Sequence, residues 1–128
     1  MNLPKNVAHG LWCFGINVAL GIPTTIIFLF IAPSEVPRTT IVLSGGISYL
    51  LLAILGYLIF KAHNWARWVN AILATLTFLG SFLLLSPLSP NHAILYIRWV
   101  QVVFGMLAVI YLFTPSANAW FKSPSNAL

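Results

Sequence analysis

Chemistry, if this chain performs any, would be sought first in Lys61-Ala-His-Asn-Trp-Ala-Arg-Trp-Val-Asn70, where a lysine, a histidine, an arginine, two indoles and side-chain amides fall within ten residues. A second pair, His9 and Cys13, stands one helical turn apart, the spacing at which an imidazole could activate a thiol, but no third group orients it. His9 and His63 could ligate haem from facing helix ends, yet both lie at the ends of apolar segments, where an interfacial histidine needs no cofactor. Zinc or two-metal hydrolysis requires clustered His, Cys, Asp or Glu; here one acid, Glu35, one thiol and three separated histidines are present. Proton-coupled export needs a carboxylate inside the membrane, and phosphoryl or glycosyl transfer needs paired acids. Gly45-Gly46 falls inside an apolar segment, so it forms no phosphate-cradling loop. The sequence therefore leads to the expectation of a non-enzyme with no catalytic residue, no metal site and no cofactor.

The composition explains why chemistry is scarce. Of 128 residues, 60% are hydrophobic and 5% charged, against roughly 25% charged in a soluble domain. A water-soluble fold is excluded. The formal charge of +5 comes from bases scattered singly between apolar runs, so it argues for membrane topology and against nucleic acid. Lone Cys13 cannot form an intramolecular disulfide. Lys5 followed by an apolar run resembles a signal peptide, but the run from about Gly10 to Ala32 exceeds a signal core of roughly 7–15 residues and no small-x-small site follows it.

Four apolar segments, about 10–32, 39–60, 66–85 and 93–113, are each long enough to cross a hydrocarbon core of about 30 Å, which takes roughly 20 helical residues. They predict an all-α integral membrane four-helix bundle in a single transmembrane domain. Turns are expected at Pro33-Ser-Glu-Val-Pro37 and Ser86-Pro-Leu-Ser-Pro90, and residues from Thr114 onward leave the membrane. Lys5, Lys61, Arg67 and Lys122 fall on one side, with Arg38 and Arg98 toward the other. This bias places both termini in the cytoplasm. Lys61, Trp65, Arg67, Trp68 and Trp120 are read as interface anchors, the connector serving as a topology lock in which only Asn70 points toward the bundle.

Each segment carries small or polar residues at helical spacing, the pattern that brings helices together in lipid. The first has Gly10, Asn17, Gly21 and Thr24, with Pro23 able to kink it; the second has Gly45, Gly46, Ser48, Tyr49 and Gly56. The third has Arg67, Asn70, Ala74, Thr77 and Ser81, and the fourth Arg98, Gln101, Gly105 and Ala108. Asn17, Asn70, Thr77, Ser81, Arg98 and Gln101 are the candidates for a bundle-interior or partner-binding face. Arg98 would snorkel, bind an anion or headgroup, or pair with Glu35, which also has Arg38 nearby. Tyr57-Leu58 and Asn64 recur as Tyr111-Leu112 and Asn118, a faint repeat that would divide the chain into two helical hairpins. Arg67-Trp-Val-Asn70 is echoed, out of phase with that repeat, by Arg98-Trp-Val-Gln101.

His63-Asn-Trp-Ala-Arg67 and Tyr111-Leu-Phe-Thr-Pro-Ser-Ala-Asn-Ala-Trp-Phe121 resemble small four-span bacterial inner-membrane proteins of unassigned function, which pair an N-W-A-R-like inner loop with an S-x-A-x-x-W-F-like exit. The resemblance implies four spans with both ends inside and supplies no substrate. The functional expectation is lateral binding, in the bilayer, to another membrane protein, as an accessory subunit or as an immunity protein against a membrane-acting toxin. A small oligomeric channel or transporter is the alternative, and self-association into a homo-oligomer is open to either.

Overall fold

Over its described residues, each long apolar segment of the sequence is helical in the computed structural model, which describes residues 3–31, 35, 37–84 and 92–123. The elements are α1 (Lys5–Ile31), α2 (Arg38–Phe60), α3 (Asn64–Leu84), α4 (His92–Leu112) and α5 (Pro115–Lys122). No strand occurs among the described residues. Apolar runs without period-two alternation have this outcome because a helix satisfies its own amides and carbonyls without water. Among the described residues, α1 and α2 are each long and apolar enough to cross a membrane, and Tyr96–Leu112 with Pro115–Lys122, bent by 63°, would make a third span. The expected turn at Ser86–Pro90 lies outside the described residues, as does the turn at Pro33–Pro37 except for Glu35 and Pro37.

The helices pack in a ring, α1 on α2 and α4, and α3 on α2 and α4. The α1–α4 contact is the most extensive and is antiparallel. Along it Gly10 meets Leu112, Gly21 meets Gln101, and Asn17 meets Gly105. A Cβ on Gly10 would lie 2.9 Å from Leu112 Cγ, so the absence of a side chain there lets the two backbones approach closely. The buried apolar cluster gathers at one end of the ring, where Val7, Leu55, Ile59, Ala66, Leu112 and Phe121 meet. Most large side chains of α2, among them Leu43, Leu50 and Leu51, are exposed, an outer surface suited to lipid.

Two local features shape that packed end. Helix α2 closes with the Ala62 amide donating to the Ile59 carbonyl and the His63 amide donating to the Leu58 carbonyl, both at 3.0 Å, with Ala62 at φ 63°. This is the Schellman stop, in which glycine is the usual occupant of the left-handed position. Helix α5 was not expected from the sequence, which suggested only an exit from the membrane. Pro115, at the start of this helix, presets the first turn, and Ala117, Trp120 and Phe121 form its buried face at the i, i+3, i+4 spacing of an amphipathic helix.

Candidate functional site

At the packed end, the connector meets the C-terminus of α4. Arg67, in the first turn of α3, is 4% exposed. Its Nη1 donates to the Leu112 carbonyl at 3.3 Å and to Asn118 Oδ1. Its guanidinium carbon lies 4.8 Å from the ring centroid of Phe113 and 4.8 Å from that of Phe121. A planar delocalised cation stacks well between two aromatic faces and is less strongly hydrated than an ammonium, which is why arginine suits this position. The Leu112 carbonyl it approaches belongs to the end of α4, where the helix dipole favours positive charge. Asn118 Nδ2 donates to the Phe113 carbonyl at 3.1 Å, so Asn118 joins the cation to the helix end. Trp68 completes the group edge-on against Phe113, 4.8 Å between ring centroids. The N-terminal segment is held at the same end, because Asn6 Nδ2 donates to Ser116 Oγ at 2.8 Å and to Thr114 Oγ1 at 3.3 Å.

Two expectations are corrected here. Arg67 is not a solvated anchor of a cytoplasmic loop: the α4–α5 corner supplies two acceptors and two ring faces that water would otherwise have to replace, so the side chain turns inward. Trp120 is not an interface anchor either; it is 9% exposed and packs edge-on to Phe121, centroids 4.9 Å apart, because α5 folds back over the bundle. Lys61, Trp65 and Trp68 do lie at the surface, with Lys61 Nζ 5.8 Å above the Tyr57 ring.

Between the helices lies a second, different region, a cavity of about 420 Å³. Asn17, Asn70, Thr77, Arg98 and Gln101, from α1, α3 and α4, all line it, and α2 adds Ser48 and Tyr49. Gln101 Nε2 donates to the Asn17 carbonyl at 3.2 Å, which fixes α4 against α1. The Tyr49 hydroxyl and Thr25 Oγ1 are 2.6 Å apart, linking α2 to α1 across the space over Gly21. Asn70 is 5% exposed, and its Nδ2 is buried with no hydrogen-bond partner. Such a group retains the cost of leaving water without a compensating bond, on the order of 1–3 kcal/mol. Ser48, Thr77 and Arg98 are exposed, so the cavity opens to the surroundings beside them.

The other residues expected on an interior or partner-binding face are placed differently. Ser81 is buried but does not line the cavity; its hydroxyl returns to the Thr77 carbonyl at 2.8 Å. Thr77 is not a buried interior residue: it sits on the cavity's exposed rim and bonds the Leu73 carbonyl at 2.8 Å. Gly46, expected on the same stripe as Gly45, faces open space, because only Gly45 is turned toward Thr25 of α1. No ion pair joins Glu35 to Arg98 or Arg38 among the described residues, and Glu35 is exposed. Among those residues no three His, Cys, Asp or Glu side chains come together. Sequence reasoning missed Asn118, Phe113 and Phe121 as partners of Arg67. Asn118 and Phe121 are three residues apart behind Pro115, a spacing that could have signalled a helix face. No protein-family model matches this sequence, and neither a curated protein nor a solved structure is significantly similar to it.

Proposed function

We propose that this chain is a non-enzymatic, four-span protein of a bacterial inner membrane, with cytoplasmic termini, that binds a small polar solute between its helices, as a small channel or transporter does. The observation that carries this reading is the 420 Å³ cavity lined by polar side chains from all four long helices. A space bordered by polar groups inside an otherwise apolar bundle is costly to maintain in lipid, and polar groups within a membrane commonly mark solute paths. In favour of four spans, α1 starts, the α2–α3 connector turns and α5 packs at the same end, as an even number of crossings requires. Lys5, Lys61 and Lys122 belong to that end and would keep it cytoplasmic.

In reconstituted liposomes, the protein should pass small solutes faster than empty vesicles do. Replacing Gln101 by Leu, which removes the bond to the Asn17 carbonyl and makes the wall apolar, should reduce that flux. Rates equal to those of empty vesicles would overturn transport.

Lateral binding to another membrane protein, as an accessory or immunity protein, is favoured by a separate observation. Helix α2 buries only Ile41, Leu55 and Ile59, leaving Ser44, Gly46 and Ser48 exposed along its length. A Ser44→Cys variant in native membranes should cross-link to a second membrane protein. Cross-linking only to another copy would replace that partner with a homo-oligomer.

A further inference from the structure

Two donors on the cavity wall, Arg98 and Asn70, have no acceptor among the described residues. Arg98 is the cation on its wall, and no carboxylate lines it; the chain's single acid, Glu35, is exposed and not part of the lining. Asn70 Nδ2 is buried with no acceptor, whereas Gln101 Nε2 is already engaged by the Asn17 carbonyl. What would complete this site is a molecule carrying oxygen acceptors and negative charge. The two donors are also set apart. Asn70 and Thr77 both line the cavity from α3, and Arg98 and Gly105 from α4, each pair separated by about 10 Å of helix rise. Trp68 at the start of α3 meets Phe113 beyond the end of α4, so the two helices run antiparallel and Asn70 lies on the packed-end side of the cavity, as Gly105 does on α4. Arg98 lies at the other end, and both it and Thr77 are exposed. The walls are mixed, with the apolar side chains of Phe14, Leu52, Leu73 and Val102 beside the polar ones of Thr25, Tyr49 and Gln101.

We infer that the cavity is a site for an elongated organic anion, its anionic oxygens at Arg98, its chain against the apolar side chains of the wall and an acceptor at Asn70 Nδ2. This inference rests on the solute-binding reading and names the solute's class. The anionic group can arrive on a water-soluble molecule or on a lipid headgroup entering beside Arg98.

The test uses the full-length protein in zwitterionic phosphatidylcholine nanodiscs, titrated with suberate, its uncharged diamide and octamethylenediamine, and in parallel discs containing phosphatidylglycerol. Suberate should bind, with the diamide weaker by about tenfold, the difference expected when charge-assisted hydrogen bonds are lost, and the diamine showing no binding. Arg98→Gln should weaken suberate by about tenfold or more, and Arg98→Lys should keep part of the affinity. Asn70→Leu should weaken it by a smaller factor and Asn70→Asp by a larger one, since the carboxylate repels the ligand. If suberate does not bind but phosphatidylglycerol raises the melting temperature only when Arg98 is present, the same anion site is filled from the bilayer. Diamide or diamine binding as tightly as suberate, unchanged affinity in a folded Arg98→Gln protein, or no response to either anion source would each overturn the inference. Flux of neutral solutes without anion binding sinks this inference and leaves transport standing; anion binding without flux does the reverse.

Discussion

Arg67 and Arg98 open the same tetrapeptide pattern, Arg-Trp-Val followed by an amide, near the starts of successive helices, and the fold puts them to opposite uses. Arg67 is enclosed by two carbonyl-side acceptors and two aromatic faces, and joins α3 to the α4–α5 corner. Arg98 is exposed at the mouth of a polar cavity. The amides that follow, Asn70 and Gln101, both reach that cavity, one unpartnered and one bonded to the Asn17 carbonyl. What differs is the neighbour. The end of α4 presents a carbonyl without an intrahelical partner and α5 presents Phe121, whereas among the described residues nothing comparable packs over Arg98. A charged side chain becomes structural where other elements bring it acceptors, and stays available for a ligand where they do not.

The contrast breaks first, and most severely, at Arg67. Arg67→Leu should cost about 3–4 kcal/mol, because it strands Asn118 and the Leu112 carbonyl and removes the stacked cation. Arg98→Gln should change stability by less than about 0.5 kcal/mol, as exposed substitutions usually do. Thermal unfolding in a mild detergent, followed by tryptophan fluorescence, compares them directly, and equal losses would erase the distinction between the two arginines.

A smaller effect separates the two regions through their glycines. Gly10→Ala would press on Leu112, which is fully buried, and should cost about 1–3 kcal/mol. Gly21→Ala meets the ring end of Tyr49 beside the cavity, which has room to shift, and should cost less than about 1 kcal/mol by the same measurement. A larger penalty at Gly21 than at Gly10 would show that the cavity region is the stiffer one.

Asn70→Leu is expected to raise stability by about 1 kcal/mol, since it removes a buried donor without a partner. A loss of stability instead would mean that the amide is satisfied inside the protein and is not held for a ligand. The smallest effect belongs to the connector. Ala62→Gly should stabilise by about 0.5–1 kcal/mol, because Ala62 sits at positive φ, where a Cβ is unfavourable. Urea or thermal unfolding of the two proteins side by side checks this.

Much of the architecture could be read from residue order. The helices start and stop close to the expected segments because hydrophobic length and proline placement are local properties. Several candidate residues, Asn17, Asn70, Arg98 and Gln101, could be selected because helical spacing puts polar groups on one face. Arg67 was on that spacing too, yet it could not be separated from a surface cation, because its partners Leu112, Phe113, Asn118 and Phe121 lie at least 45 residues away. Trp120 was misplaced for a related reason. An aromatic beside a lysine near a chain end looks the same whether α5 lies on the surface or folds over the bundle.

The amino-acid sequence by itself determined that this is an apolar helical chain, where its long helices run, and which residues could carry polarity between them. Length, hydropathy and backbone hydrogen bonding act within one segment, so they are legible there. Tertiary structure alone decided that Arg67 is caged while Arg98 is open, that α5 closes the packed end, and that amides from three helices border one cavity. Each of those outcomes depends on which distant groups are brought within bonding distance, and the spacing of residues along a single helix does not encode it.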